Sequence, residues 1–175
     1  ALVPAFVFFF QMLYPFAWVS DPRRRTAAAA GGCMLVRRET LARAGGIDAI
    51  RTALIDDCAL ARAVKPMGPI SLALTRLARS RRRYPALADI RRMVSRSAYV
   101  QLGRSPLLLA GTVAGMAVVY LAPPLFALFA SGATRVLGIA AWIAMAAAFQ
   151  PMLRFYRRSP LWGLALPAIA AAYVA

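Results

Sequence analysis

Histidine is absent from the 175 residues, lysine occurs once (Lys65), cysteine twice (Cys33 and Cys58), and acidic residues only six times. The lack of histidine excludes Ser-His-Asp and Cys-His nucleophile pairs, histidine-ligated zinc and histidine acid–base chemistry. Two cysteines make neither a disulfide scaffold nor an all-cysteine zinc site. The six acids stand against 22 basic residues, so the net charge is +16. Charged residues make up only 16% and apolar residues 61%, where a soluble domain carries about 25% and about 45–50%. An ordinary cytosolic globule is excluded on those grounds, and a disordered chain is excluded by the apolar content. A membrane protein with a basic, water-facing part remains. The sequence opens at Ala1 and stops inside an apolar run, and it reads as an internal segment of a longer protein.

Charge placement divides the chain. Residues 1–19 hold no charge and seven aromatic residues. They predict an apolar helix that either lies at the membrane interface or spans it, with Pro4, Gln11 and Pro15 as interruptions. Residues 20–84 read as a basic, water-facing cytoplasmic block. Over 85–105, apolar residues at 87, 90, 94, 98 and 102 predict an amphipathic interface helix. Residues 106–175 carry few charges and predict transmembrane helices at about 106–130, 136–153 and 160–175, the last one truncated. The pair Pro123-Pro124 is expected to kink or end the first of these. Nine arginines between 76 and 104 and three at 154–158 lie on one side of the spans, with Arg135 alone on the other. The positive-inside rule then puts 20–105 in the cytoplasm of a multi-pass inner-membrane protein.

Within the basic block, Gly31-Gly32 precedes Cys33-Met34-Leu35-Val36, which reads as a short buried strand. A short helix over 39–44 follows, with Gly45-Gly46 as its stop signal. The glycine pair at 31–32 is either a turn element or a floor for a bulky substrate. Asp56-Asp57, after Leu54-Ile55, is the one acidic centre in this basic chain. It caps a helix start, or it supplies a general base for an alcohol, since adjacent carboxylates perturb one another. The run Arg79–Arg83 fits anionic lipid headgroups better than nucleic acid, which is not expected as a partner.

The order of these features resembles a known family. Gly-Gly-Cys-Met-Leu-Val-Arg-Arg comes first, then Ile-Asp-Asp-Cys-Ala-Leu-Ala, then the arginine-rich stretch Ile90–Tyr99, then the apolar spans. That order is similar to the second half of a membrane-bound family 2 glycosyltransferase. Phe8–Phe16 and Asp21-Pro22-Arg23-Arg24-Arg25-Thr26 resemble its hopene-associated branch. The resemblance implies an α/β fold, the second half of a GT-A-type, Rossmann-like domain, followed by C-terminal membrane helices. It implies a nucleotide-sugar donor, a lipid acceptor and inverting transfer. A divalent cation (Mg or Mn) is implied through an Asp-x-Asp motif upstream of this chain, with no cofactor held by the segment itself. Asp57 takes the role of general base and Asp56 that of its acidic neighbour. Gly31 and Gly32 line the substrate site, and Arg96 matches the arginine of the family's Gln-x-x-Arg-Trp motif near the donor diphosphate. Met93 and Ser97 depart from that motif, and Gln101 is a substitute contact. On this reading the segment alone is inactive, because about 85 water-facing residues are too few for a complete sugar-nucleotide domain. The competing reading is a non-catalytic membrane scaffold whose arginine-rich block binds anionic lipid. A transporter would need polar groups inside the spans, which are nearly bare of them.

Overall fold

The computed structural model describes residues 2–78 and 99–174, which divide into two compact units: 2–10 with 99–174, and 11–78. Seven α-helices occur among the described residues: α1 (Leu2–Leu13), α2 (Phe16–Ser20), α3 (Arg38–Arg43), α4 (Asp56–Val64), α5 (Pro106–Phe129), α6 (Gly132–Phe155) and α7 (Leu166–Val174).

No strand occurs among the described residues, and this overturns the expected α/β, GT-A-type fold. The physical reason is visible at 33–36. The segment is irregular, Leu35 is fully exposed and Met34 is 38% exposed. A short apolar run becomes a strand only when a neighbouring backbone takes up its N–H and C=O groups. Helices and turns surround this run, and none offers such an edge.

In the unit formed by residues 11–78, Pro15 breaks the first apolar stretch and restarts it as α2. Its carbonyl accepts from the Trp18 and Val19 amides at 2.8 and 3.0 Å. The helix α3 ends at Gly45 and Gly46, both in the left-handed region (φ 88° and 67°), with the Gly46 amide on the Leu41 carbonyl at 2.9 Å. Only glycine adopts that pair of dihedrals without strain. A small core of Ile50, Leu60 and Val64, flanked by Val36, Leu41 and Ile70, joins α3, α4 and the turn at Asp48–Ile50.

In the other unit, α5 and α6 form an antiparallel hairpin. Ser105 starts α5, its hydroxyl accepting from the Leu108 amide at 3.3 Å, with Pro106 in the first helical position. Pro123-Pro124 does not end α5, which continues to Phe129. Two missing N–H donors in a 24-residue helix leave the rest of the ladder intact. Each long helix rises about 36 Å and contains an 18-residue stretch with a mean hydropathy of 1.8. Both are long and apolar enough to cross a membrane, and their outer faces are greasy: Leu107, Val118, Phe129, Val136 and Leu137 are all largely exposed. Residues 160–174 form a 3-10 turn and then the nine-residue α7. Trp142 Nε1 donates to the Leu164 carbonyl at 3.0 Å and Gln150 Nε2 to the Pro160 carbonyl at 3.0 Å, tying this segment to α6. Aromatic edges seat the start of α1: Phe8 on Phe149, and Phe9 on both Tyr120 and Tyr173.

Candidate active site

The acid pair opens α4. Ile55 is non-helical (φ −110°, ψ 74°), so Asp56 and Asp57 are the first two helical residues. A helix start leaves N–H groups without intrahelical partners, and the two carboxylates take two of them. Asp56 Oδ1 accepts the Asp57 amide at 3.0 Å, and Asp57 Oδ1 accepts the Cys58 amide at 2.7 Å. Ile55 occupies the capping position and no side chain caps there, so the expected acidic cap is not found; both acids lie in the first turn instead. Asp57 does more than close the turn. Its Oδ2 accepts the Gly31 amide at 2.8 Å, across 26 residues of sequence. A second link runs beside it, where the Cys58 thiol donates to the Ala29 carbonyl at 3.7 Å. Ala27 and Ala28 are buried just before this docking point.

The structure therefore brings Gly31, Asp57, Asp56 and Cys58 together. Gly31 is small where a side chain would touch Asp57: a Cβ there would lie 3.4 Å from Asp57 Oδ2. A Cβ at Gly32 would meet nothing within 4 Å, so the backbone next to this contact borders open space. Asp57 is half-buried and Asp56 exposed. Each Asp57 oxygen accepts one N–H and retains a lone pair for a hydroxyl donor. The arrangement can orient and deprotonate an alcohol presented from the glycine side. Burial pushes the Cys58 thiol above its ordinary pKa, so it stays protonated and is no nucleophile.

The other expected site residues fall elsewhere. Arg96, the Arg79–Arg83 run and most of the 85–105 interface helix lie outside the described residues. Gln101 belongs to the unit that holds α5, half-buried ahead of the turn at Gly103-Arg104. Two features went unforeseen. Lys65 donates to the Val19 and Asp21 carbonyls, the latter at 2.9 Å, and so closes the C-terminal end of α2. Its rarity, one lysine among 22 basic residues, was the only signal the sequence offered. The second is an open recess of about 540 Å³ lined by Trp18, Asp21, Arg23, Arg24, Arg25 and Thr26. Arg23 pairs with Asp21 at 3.1 Å and holds that carboxyl below its ordinary range through hydrogen bonds from both side chain and amide.

The divalent cation implied by the family likeness finds no donor set here. Among the described residues no group of three or more histidine, cysteine or acidic side chains comes together.

One unit carries an apolar helical hairpin, and the other, basic, unit carries one hydrogen-bonded acid pair. The chain belongs to glycosyl transferase family 21, whose family model matches residues 7–172. The match spans nearly the whole chain and assigns it to glycosyl transfer between a sugar donor and an acceptor. No curated protein and no solved structure matches it.

Proposed function

We propose that this protein is part of an inverting glycosyltransferase that moves a sugar from a nucleotide-sugar donor to a lipid alcohol at the cytoplasmic face of a bacterial-type inner membrane. The observation that carries the reading is the half-buried Asp57 carboxylate, fixed at both oxygens by the Gly31 and Cys58 amides with a lone pair left on each. In the reaction, the acceptor hydroxyl gives its proton to Asp57 as its oxygen forms a bond to the anomeric carbon. The bond from that carbon to the diphosphate breaks on the opposite face, and the electron pair leaves with the nucleoside diphosphate. Arginine, with Arg96 as the assigned residue, takes up the charge developing on the diphosphate. Asp56 adds negative potential beside the base and closes the helix start. Gly31 and Gly32 leave room for the acceptor. The motif likeness to the hopene-associated branch makes a hopanoid-related lipid the first acceptor to assay.

The two long apolar helices support a lipid acceptor, because they hold the acid pair's chain at a bilayer where the hydroxyl of a lipid lies in the headgroup plane. The basic excess supports a doubly anionic leaving group. The test is Asp57→Asn in the full-length protein, assayed by transfer of labelled sugar into extracted lipid, with donor binding measured separately. General-base catalysis contributes about 10²–10⁴ in rate, so turnover falls by that order while donor affinity stays within about threefold. Turnover close to wild type removes Asp57 from the role and favours the scaffold reading, in which the acids only close α4.

A further inference from the structure

The recess at the end of α2 is not used by the transfer chemistry, and its composition is unusual. It holds three consecutive arginines and a single acid. Asp21 is engaged by Arg23 through two hydrogen bonds at 3.1 Å, with Arg24 at 4.0 Å. Arg24 lies over the Trp18 ring, 4.5 Å from its centroid, while Arg25 meets no carboxylate among the described residues. Cationic charge therefore exceeds anionic charge in the recess by two. The segment that precedes the arginines in sequence is greasy: Met12 and Leu13 are 57% and 63% exposed, and Trp18, in the recess itself, is 47% exposed. An apolar, aromatic stretch that passes within one turn into an arginine cluster matches the two layers of a bilayer surface, acyl boundary and headgroup plane.

We infer that the Trp18–Arg24–Arg25 recess seats the phosphate of an anionic phospholipid, with Trp18 at the level of the acyl boundary. Guanidinium groups give planar, charge-assisted hydrogen bonds to phosphate oxygens. Arg24 is held by the indole face, so it is ordered before the lipid arrives. A soluble nucleotide fits the recess less well. Small-molecule sites bury most of their ligand, whereas this one is open and the ring face that would stack a base carries Arg24. The inference does not depend on the transfer reading, since lipid occupancy is measured without donor or acceptor.

The test uses the full-length protein in nanodiscs, with Trp142→Phe and Trp162→Phe leaving Trp18 as the reporter among the three tryptophans of this chain. Any further tryptophan in the full-length protein is replaced in the same way. Phosphatidylglycerol or phosphatidylcholine, each brominated at the same acyl position and at the same mole fraction, serves as the quencher. The brominated anionic lipid quenches Trp18 at least about twofold more than the zwitterionic one, and Arg24→Gln with Arg25→Gln equalises the two. Raising salt so that the screening length falls from about 10 Å to about 3 Å also shrinks the preference, which decides the matter without the variant if that variant fails to fold. Equal quenching by the two lipids, no quenching by either, or a preference unmoved by salt and by the substitutions overturns the inference. Loss of the preference on adding inorganic phosphate or a nucleoside diphosphate overturns it in favour of a soluble anion.

Discussion

Gly138 decides how closely the two long helices approach. It is buried in α6, and a Cβ built on it would lie 2.7 Å from the Ala127 nitrogen, 2.8 Å from Phe126 Cβ and 2.9 Å from the Pro123 carbonyl oxygen. Two of these three atoms are backbone and cannot rotate away, so Gly138→Ala forces the helices apart by several tenths of an ångström. Overpacking of that kind costs about 1–3 kcal/mol, and wider separation also loses the dispersion contacts on which apolar helix pairs in a bilayer depend. Against this stands the helix propensity of alanine, about 1 kcal/mol better than glycine. At contacts this short the steric term wins, and Gly138→Ala is destabilised by up to about 2 kcal/mol net. Gly115→Ala is the matched control. Gly115 sits in α5, where an added Cβ meets nothing within 4 Å, so only the propensity gain applies and the variant is as stable as wild type or more so. Both are measured by denaturant titration in mixed micelles, followed by tryptophan fluorescence. Equal stability of the two variants would refute the close crossing at Gly138.

Lys65→Met keeps the aliphatic stem but removes the donors to the Val19 and Asp21 carbonyls; it lowers stability by about 1–3 kcal/mol in chemical denaturation, and a loss below about half a kcal/mol would show that water replaces the ammonium at no cost. Gly31→Pro removes the amide that reaches Asp57, costs about 1 kcal/mol at this exposed glycine, and couples to Asp57→Asn in a double-mutant cycle, where simple additivity would count against the contact. Cys33 is exposed and Cys58 buried, so iodoacetamide modifies Cys33 rapidly and Cys58 only on unfolding. Because burial raises the Cys58 pKa, the unfolded chain releases its thiol proton first as pH rises. Stability from this group is therefore complete below the ordinary thiol value of about 8.5 and declines above it, a slope that Cys58→Ala abolishes.

The long apolar helices could be anticipated from sequence because charge-free runs of this length leave an extended backbone nowhere to satisfy its hydrogen bonds in lipid. The stop at Gly45-Gly46 could be anticipated because two left-handed residues in succession demand glycine. Periodicity misled at Cys33–Val36. Four apolar residues bounded by turn signals suit a buried strand and an exposed linker equally, and only the presence of a neighbouring edge separates the two. The family likeness pointed toward a sheet, and the described residues contain none. The contact between Gly31 and Asp57 was half legible. Both motifs stood out by composition, yet a hydrogen bond spanning 26 residues is a tertiary fact that local pattern does not encode. Lys65 was passed over because a lone lysine in an arginine-rich chain looks like one more surface charge until its carbonyl partners are known.

With no sheet among the described residues of 11–78, polar links between distant segments carry much of the organisation there. The links are Gly31 to Asp57, Lys65 to the end of α2, and the Leu72 amide to the Ser20 hydroxyl at 3.4 Å. Asp57 is thus a structural link as well as the proposed base, and any loss of activity in Asp57→Asn has to be separated from a loss of fold. Asparagine retains one carbonyl oxygen, so it keeps one of the two amide contacts and turns its NH₂ toward the other donor. That mismatch costs about 1–3 kcal/mol of stability. Removal of the base costs about 3–5 kcal/mol of barrier, the equivalent of a 10²–10⁴ fall in rate. The two effects part on temperature. A fold defect of about that size leaves turnover near wild type well below the midpoint of unfolding, whereas a missing base lowers turnover by the same factor at every temperature at which the protein is folded. If cooling restores the activity of Asp57→Asn, the carboxylate is a structural link and the chemistry lies elsewhere.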